Sequence, residues 1–122
     1  MTKDCLVVDD SSVVRKIIKK ILEDIGFQVR EAEDGKKALE ACEEQVPFLI
    51  MLDWNMPVMD GMEFLKAFHP KQQEHGTYVV FCTTENDITQ IMKAMEAGAN
   101  EYIMKPFDAD IIKTKFQQLG IL

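Results

Sequence analysis

The sequence predicts an α/β fold: a doubly wound, five-stranded parallel sheet with helices on both faces. The hydrophobic period switches about five times between a short apolar run and a 3.6-residue repeat, giving strand-helix pairs along the whole chain. The runs Cys5 to Val8 and Phe48 to Leu52 are apolar at every position, as strands must be when helices cover both sides of a parallel sheet. The chain's 122 residues, 47% of them apolar, suit one domain that buries its own core without a disulfide or structural metal.

Each element follows from its residues. Cys5 to Val8 reads as a strand buried on both faces. Val13, Val14, Ile17, Ile18, Ile21, Leu22 and Ile25 recur at helical spacing, opposite Arg15, Lys16, Lys19, Lys20, Glu23 and Asp24, and Gly26 stands where a helix ends in a left-handed residue. Phe27 to Ala32 alternates as a strand, Lys36 to Gln45 is helical, and Phe48 to Leu52 is a buried strand after Pro47. The spacing then predicts a helix over Met62 to Phe68, a strand over Tyr78 to Cys82, a helix over Ile88 to Ala97, a strand over Glu101 to Met104 and a helix over Ala109 to Leu119. The polar stretch His69 to Thr77 reads as a loop, its two histidines having no carboxylate or cysteine at ligand spacing.

Composition excludes several classes. Lys and Arg number 14 against 21 Asp and Glu, a net charge of −7, which disfavours nucleic acid because binding it needs a basic face. Cys5, Cys42 and Cys82 are odd in number and lack C-x-x-C spacing, so they read as reduced, buried thiols rather than a disulfide framework or zinc cage. The N-terminus has no signal-peptide layout and no stretch approaches a membrane span, so a cytoplasmic protein without membrane contact is expected. The eight methionines, Met92 and Met95 included, read mainly as core fillers, and the basic stripe Arg15, Lys16, Lys19, Lys20 as a solvated helix face.

Ligands of doubly wound sheets bind outside the carboxyl ends of the strands, and the chemistry-bearing residues lie there. Asp9 and Asp10 follow the first strand and Asp53 the third; carboxylates brought that close repel one another and favour a hard divalent cation such as Mg²⁺. Asp10 can alternatively serve as a helix N-cap together with Ser11 and Ser12. Thr83 with Thr84 follows the fourth strand, and Lys105 with Pro106 the fifth. A hydroxyl, an ammonium and a cation around one carboxylate form the set that stabilises a phosphoryl group on it, which makes Asp53 the candidate nucleophile. At neutral pH an aspartate needs no general base for this step.

The pair Asp9-Asp10, the run Asp53-Trp54-Asn55-Met56-Pro57 with Met59-Asp60-Gly61, Thr83, Tyr102 and Lys105-Pro106 resemble the motifs of two-component response-regulator receiver domains, above all the free-standing chemotaxis regulators. The resemblance covers essentially the whole chain. It implies a flavodoxin-like sheet of order 2-1-3-4-5. It also implies Mg²⁺ held by Asp10, Asp53 and the backbone carbonyl of Asn55, with Asp9 acting through water, and a cis peptide bond between Lys105 and Pro106. Lys105 and Thr83 would contact the phosphoryl oxygens, Thr83 and Tyr102 would form the switch, and Asn55 and Glu85 would tune the phosphoryl lifetime.

The expected protein is thus a single receiver domain over residues 1–122, monomeric, with no output domain after Leu122. It is a signalling switch that catalyses only its own phosphorylation and dephosphorylation. Its partners would be a histidine kinase or histidine phosphotransfer protein and a downstream protein target such as the flagellar motor switch. A phosphorelay intermediate or phosphate sink shares this chemistry. A phosphatase of the haloacid dehalogenase type would need an Asp where Asn55 stands, and a flavodoxin-like cofactor binder would find its phosphate repelled by Asp9 and Asp10.

Overall fold

The computed structural model describes residues 3–84 and 88–122. Five strands alternate with five helices: β1 (Lys3–Val8), α1 (Ser12–Ile25), β2 (Phe27–Ala32), α2 (Gly35–Glu44), β3 (Leu49–Asp53), α3 (Gly61–His75), β4 (Tyr78–Thr83), α4 (Ile88–Glu96), β5 (Glu101–Met104) and α5 (Ala109–Leu119). All neighbouring strands run parallel, in the order β2-β1-β3-β4-β5. The order turns at β1 and β3, whose carboxyl ends carry Asp9 and Asp53.

The two-residue period of the strands divides the core. Leu6, Val8, Ile50, Leu52, Val79 and Phe81 face one side, where Ala38, Cys42, Phe64, Leu65, Phe68 and Ala94 bring in α2, α3 and α4. Cys5, Val7, Leu49, Met51, Val80 and Cys82 face the other, against Ile18 and Leu22 of α1 and Ile112 and Phe116 of α5. Helix ends follow local chemistry: Ser11 caps α1, Asp34 caps α2, Asp60 and Glu63 form a reciprocal capping box on α3, and Asp108 caps α5. None of the described helices is long and apolar enough to cross a membrane.

Three expectations are corrected. First, α3 runs to His75, so His69 and His75 are helical rather than in a loop. Pro70 cannot donate to the carbonyl one turn back and ordinarily breaks a helix. The last turns are instead held by tertiary contacts of the buried Gln72. Its Nε2 donates to the Gly98 carbonyl at 2.6 Å, to Asn100 Oδ1 at 3.2 Å and to the Thr77 carbonyl at 3.3 Å, and its Oε1 lies 3.1 Å from His69 Nδ1.

Second, Val13 and Ile17 are 67% and 55% exposed rather than part of the core stripe. At about 100° per residue they stand roughly 140° and 100° from Ile18 around the helix, whereas Val14, Ile21, Leu22 and Ile25 lie within about 60°. Third, Met92 and Met95 are exposed beside Ile88, because α4 buries the Ala94 side.

The cysteine reading stands. All three thiols are free and buried, and burial pushes Cys42 up to about 11, Cys82 up to about 12 and Cys5 well above its ordinary value.

Candidate functional site

The carboxyl edge of the sheet gathers the predicted residues. Asp53 is the last residue of β3 and 8% exposed; Asp9, just past β1, is buried, and Asp10 is exposed. One carboxylate oxygen from each lies within 4.8 Å of the others. Ser11 takes the N-cap role, accepting from the Val14 N–H, so Asp10 is not the helix cap.

Lys105 reaches in from the β5–α5 connection. Its Nζ donates to Asp9 Oδ2 and Asp53 Oδ1, both at 2.9 Å, and its peptide bond to Pro106 is cis. The Lys105 N–H also donates to the Thr83 carbonyl at 2.8 Å, tying the ends of β4 and β5 together. Thr83 is the last residue of β4 and is buried, while Thr84 is exposed.

Burial pushes the Asp53 carboxyl above the ordinary aspartate range. The Asp9 charge pushes it the same way, against the pull of the Lys105 hydrogen bond. Burial works to lower the Lys105 ammonium, but its bonds to Asp53 and Asp9 outweigh that and hold it above its usual value.

The donor set fits a hard divalent cation: three carboxylates converge, two of them buried, and among the described residues the ammonium of Lys105 alone is paired with them. Asp9, Asp10 and Asp53 could hold such an ion. Asn55 is exposed, two residues beyond β3. Trp54 is half-buried, its ring edge-on to Phe81 at 4.6 Å. Tyr102, half-buried on β5, carries the Lys115 ammonium 4.9 Å above its ring, and a small apolar gap links it to Thr83, Trp54 and Phe81. Glu85 lies outside the described residues.

Some supporting residues were not legible in the sequence. Arg15, grouped with the solvated stripe, is tied down: its Nε donates to Glu31 Oε1 at 3.1 Å and its Nη1 to the Asp9 carbonyl at 2.6 Å. Lys16 also bonds Glu31, which holds that carboxyl below its ordinary range, while Lys19 stands 3.9 Å away. Nothing local marks Arg15, because its partners come from β2 and the end of β1. Gly61 sits so close to β3 that a Cβ there would lie 2.3 Å from the Asp53 carbonyl oxygen.

The family model of the response regulator receiver domain matches residues 5–117. The chain belongs to the response-regulator receiver family. This receiver domain is similar to the chemotaxis protein CheY of Pseudomonas aeruginosa, 38% identical over 93% of each chain, and to CheY1 of Helicobacter pylori, 37% identical over 92% of each. Among solved structures, the chemotaxis response regulator CheY4 of Vibrio cholerae superposes with a TM-score of 0.90 at 32% identity, over 98% of the receiver domain and 99% of the other chain. A CheY-like receiver domain from Methanospirillum hungatei superposes at 0.89 with 28% identity, over 98% and 94%.

Proposed function

We propose that the chain is a phosphoacceptor switch whose Asp53 takes a phosphoryl group from a phosphohistidine donor, with Mg²⁺, in a chemotaxis-type pathway. The observation that carries the reading is Asp53 itself: a buried carboxylate at the sheet edge, grouped with two others and bonded to a lysine.

In the transfer, an Asp53 carboxylate oxygen attacks phosphorus and the bond from phosphorus to the donor's imidazole nitrogen breaks. The imidazole, protonated on its other ring nitrogen, leaves with the electron pair and is then neutral. Asp9, Asp10, Asp53 and the Asn55 carbonyl would hold the cation, which when bound would offset negative charge on the phosphoryl oxygens. Lys105, already bonded to Asp53, follows the charge onto the phosphoryl group, and Thr83 donates its hydroxyl to another of its oxygens. Hydrolysis by water returns inorganic phosphate and the free carboxylate, with Asn55 and Glu85 setting its rate.

The phosphoryl group raises the local negative charge and draws Thr83 and Lys105 toward it. That pull shifts a two-state equilibrium in which Tyr102 changes its packing against the Trp54 and Phe81 side. Ile88, Met92 and Met95 leave an apolar row on α4 for the output partner. On the other side of the site, a groove of about 410 Å³ lined by Val14, Ile17, Ile18, Pro106 and Phe107 adjoins Lys105 and offers a seat for the donor protein. The likeness to chemotaxis proteins supports a diffusible regulator of the flagellar motor.

Trp54 emission tests the reading. A Mg²⁺-dependent change that beryllofluoride alters further, and that Asp53→Ala abolishes, is expected; no response to beryllofluoride overturns it. Capture of a motor-switch peptide only by the beryllofluoride-loaded protein is the expected output, and return of the phosphoryl group to a histidine phosphotransfer protein instead identifies a phosphorelay intermediate.

A further inference from the structure

The loop that leaves Asp53 carries strain that its own residues do not explain. Val58 is β-branched, 76% exposed and held at a φ of 68°, a conformation that side chains of its shape rarely adopt. The Met59 N–H donates to the Pro57 carbonyl at 2.7 Å, closing a γ-turn around Val58, one of the rarer and more strained turns. An exposed valine gains little from burial there, so the strain is imposed by what grips the loop on either side.

Two grips are visible. The Gly61 N–H donates to the Trp54 carbonyl at 3.0 Å, closing the loop against β3. The second comes from another element: the N–H of Gly35, first residue of α2, donates to the Met59 carbonyl at 3.0 Å. A Cβ on Gly35 would lie 2.7 Å from that oxygen and 2.7 Å from Met59 Cγ. Gly35 is not among the glycines with positive φ, so its backbone does not require glycine, and alanine would favour the start of the helix. What requires glycine there is the close approach of Met59, and since one blocking atom belongs to the backbone, no side-chain rotation relieves it.

We propose that Gly35 is a positioning residue of the phosphoacceptor site, whose bare Cα seats Met59 and so holds the strained Trp54–Asp60 loop in its cation-binding arrangement. This rests on the reading of Asp53 as a Mg²⁺-dependent phosphoacceptor with a loop carbonyl among the ligands. Backbone carbonyls bind a hard cation well only where they need not be reordered, so strain held by a distant element preorganises them at the expense of stability.

The test pairs Mg²⁺ titration by Trp54 emission with urea unfolding in the absence of the cation, for the parent, Gly35→Ala and Val58→Gly. Gly35→Ala is expected to raise the Mg²⁺ dissociation constant about tenfold, the usual scale for residues supporting metal ligands. Val58→Gly releases the strain without touching the seat. It is expected to raise the urea midpoint and yet weaken Mg²⁺ about threefold, since a loosened loop must be ordered on binding. A purely structural role moves stability alone. Unchanged Mg²⁺ affinity in the folded variants overturns the proposal, as does a lowered urea midpoint in Val58→Gly. If Gly35→Ala does not fold, Val58→Gly decides. A parent that fails to respond to Mg²⁺ refutes the phosphoacceptor reading itself, and the proposal falls with it.

Discussion

Replacing Lys105 with methionine keeps the stem and removes the charge from between two carboxylates. Its Nζ makes two bonds of 2.9 Å, to Asp9 and Asp53, and its side chain is 21% exposed. Hydrogen bonds to charged groups contribute roughly 1.5–3 kcal/mol each. Because water reaches the lysine in part, the lower end applies to both, and Lys105→Met is expected to lose about 3 kcal/mol at neutral pH without Mg²⁺. The pH dependence has a definite sign. The folded Asp53 carboxyl lies above its unfolded value, so its contribution is fully present below about pH 3.9 and is lost as pH rises through the folded value. Removing the Lys105 hydrogen bond, the larger of the two that oppose this shift, deepens the loss, so the variant's deficit is small near pH 3 and full at pH 7. Millimolar Mg²⁺, bringing positive charge to the same carboxylates, is expected to narrow it. Urea unfolding followed by far-ultraviolet circular dichroism measures all three conditions. A deficit under about 1 kcal/mol at pH 7, the scale of a surface pair, or one equal at both pH values, refutes the view that this ammonium holds the buried carboxylates.

Other consequences are independent of that one. Asn55→Ala or Glu85→Ala is expected to change the decay of the aspartyl phosphate with little effect on its loading; unchanged lifetimes in both variants contradict the role given to them. Tyr102→Ala is expected to leave phosphorylation intact and to weaken capture of a motor-switch peptide by the activated protein, so equal affinity in variant and parent speaks against Tyr102 as the switch. Gln72→Ala strands the Gly98 and Thr77 carbonyls and is expected to cost about 2 kcal/mol. Hydrogen exchange should then accelerate at the end of α3 and around residues 98–100, and a global loss without that local signature contradicts the clasp.

The sheet was legible because Cys5–Val8 of β1 and Leu49–Leu52 of β3 are buried on both faces and read as unbroken apolar runs, while Gly26 closes α1 in the left-handed conformation expected of it. The site was legible because the topology brings residues that follow separate runs to one edge, and Asp9, Asp10, Asp53, Thr83 and Lys105 all lie there. What escaped depends on contacts between distant segments. Pro70 signals a helix end, and only the reach of Gln72 to Gly98 and Asn100 explains why α3 continues past it. Val13 and Ile17 match the composition of a core stripe but not its azimuth. Arg15 and Gly35 look like surface and helix-start residues until Asp9 and Met59 are set against them.

The central claim is that Asp53 is the phosphoacceptor, and intact mass followed by peptide mapping tests it most directly. Incubation with a small phosphodonor and Mg²⁺ is expected to add one phosphoryl group, on Asp53, with no adduct formed when the cation is chelated beforehand and none on Asp53→Asn. A phosphoryl group on another residue, or no adduct while the parent binds Mg²⁺, would contradict the account.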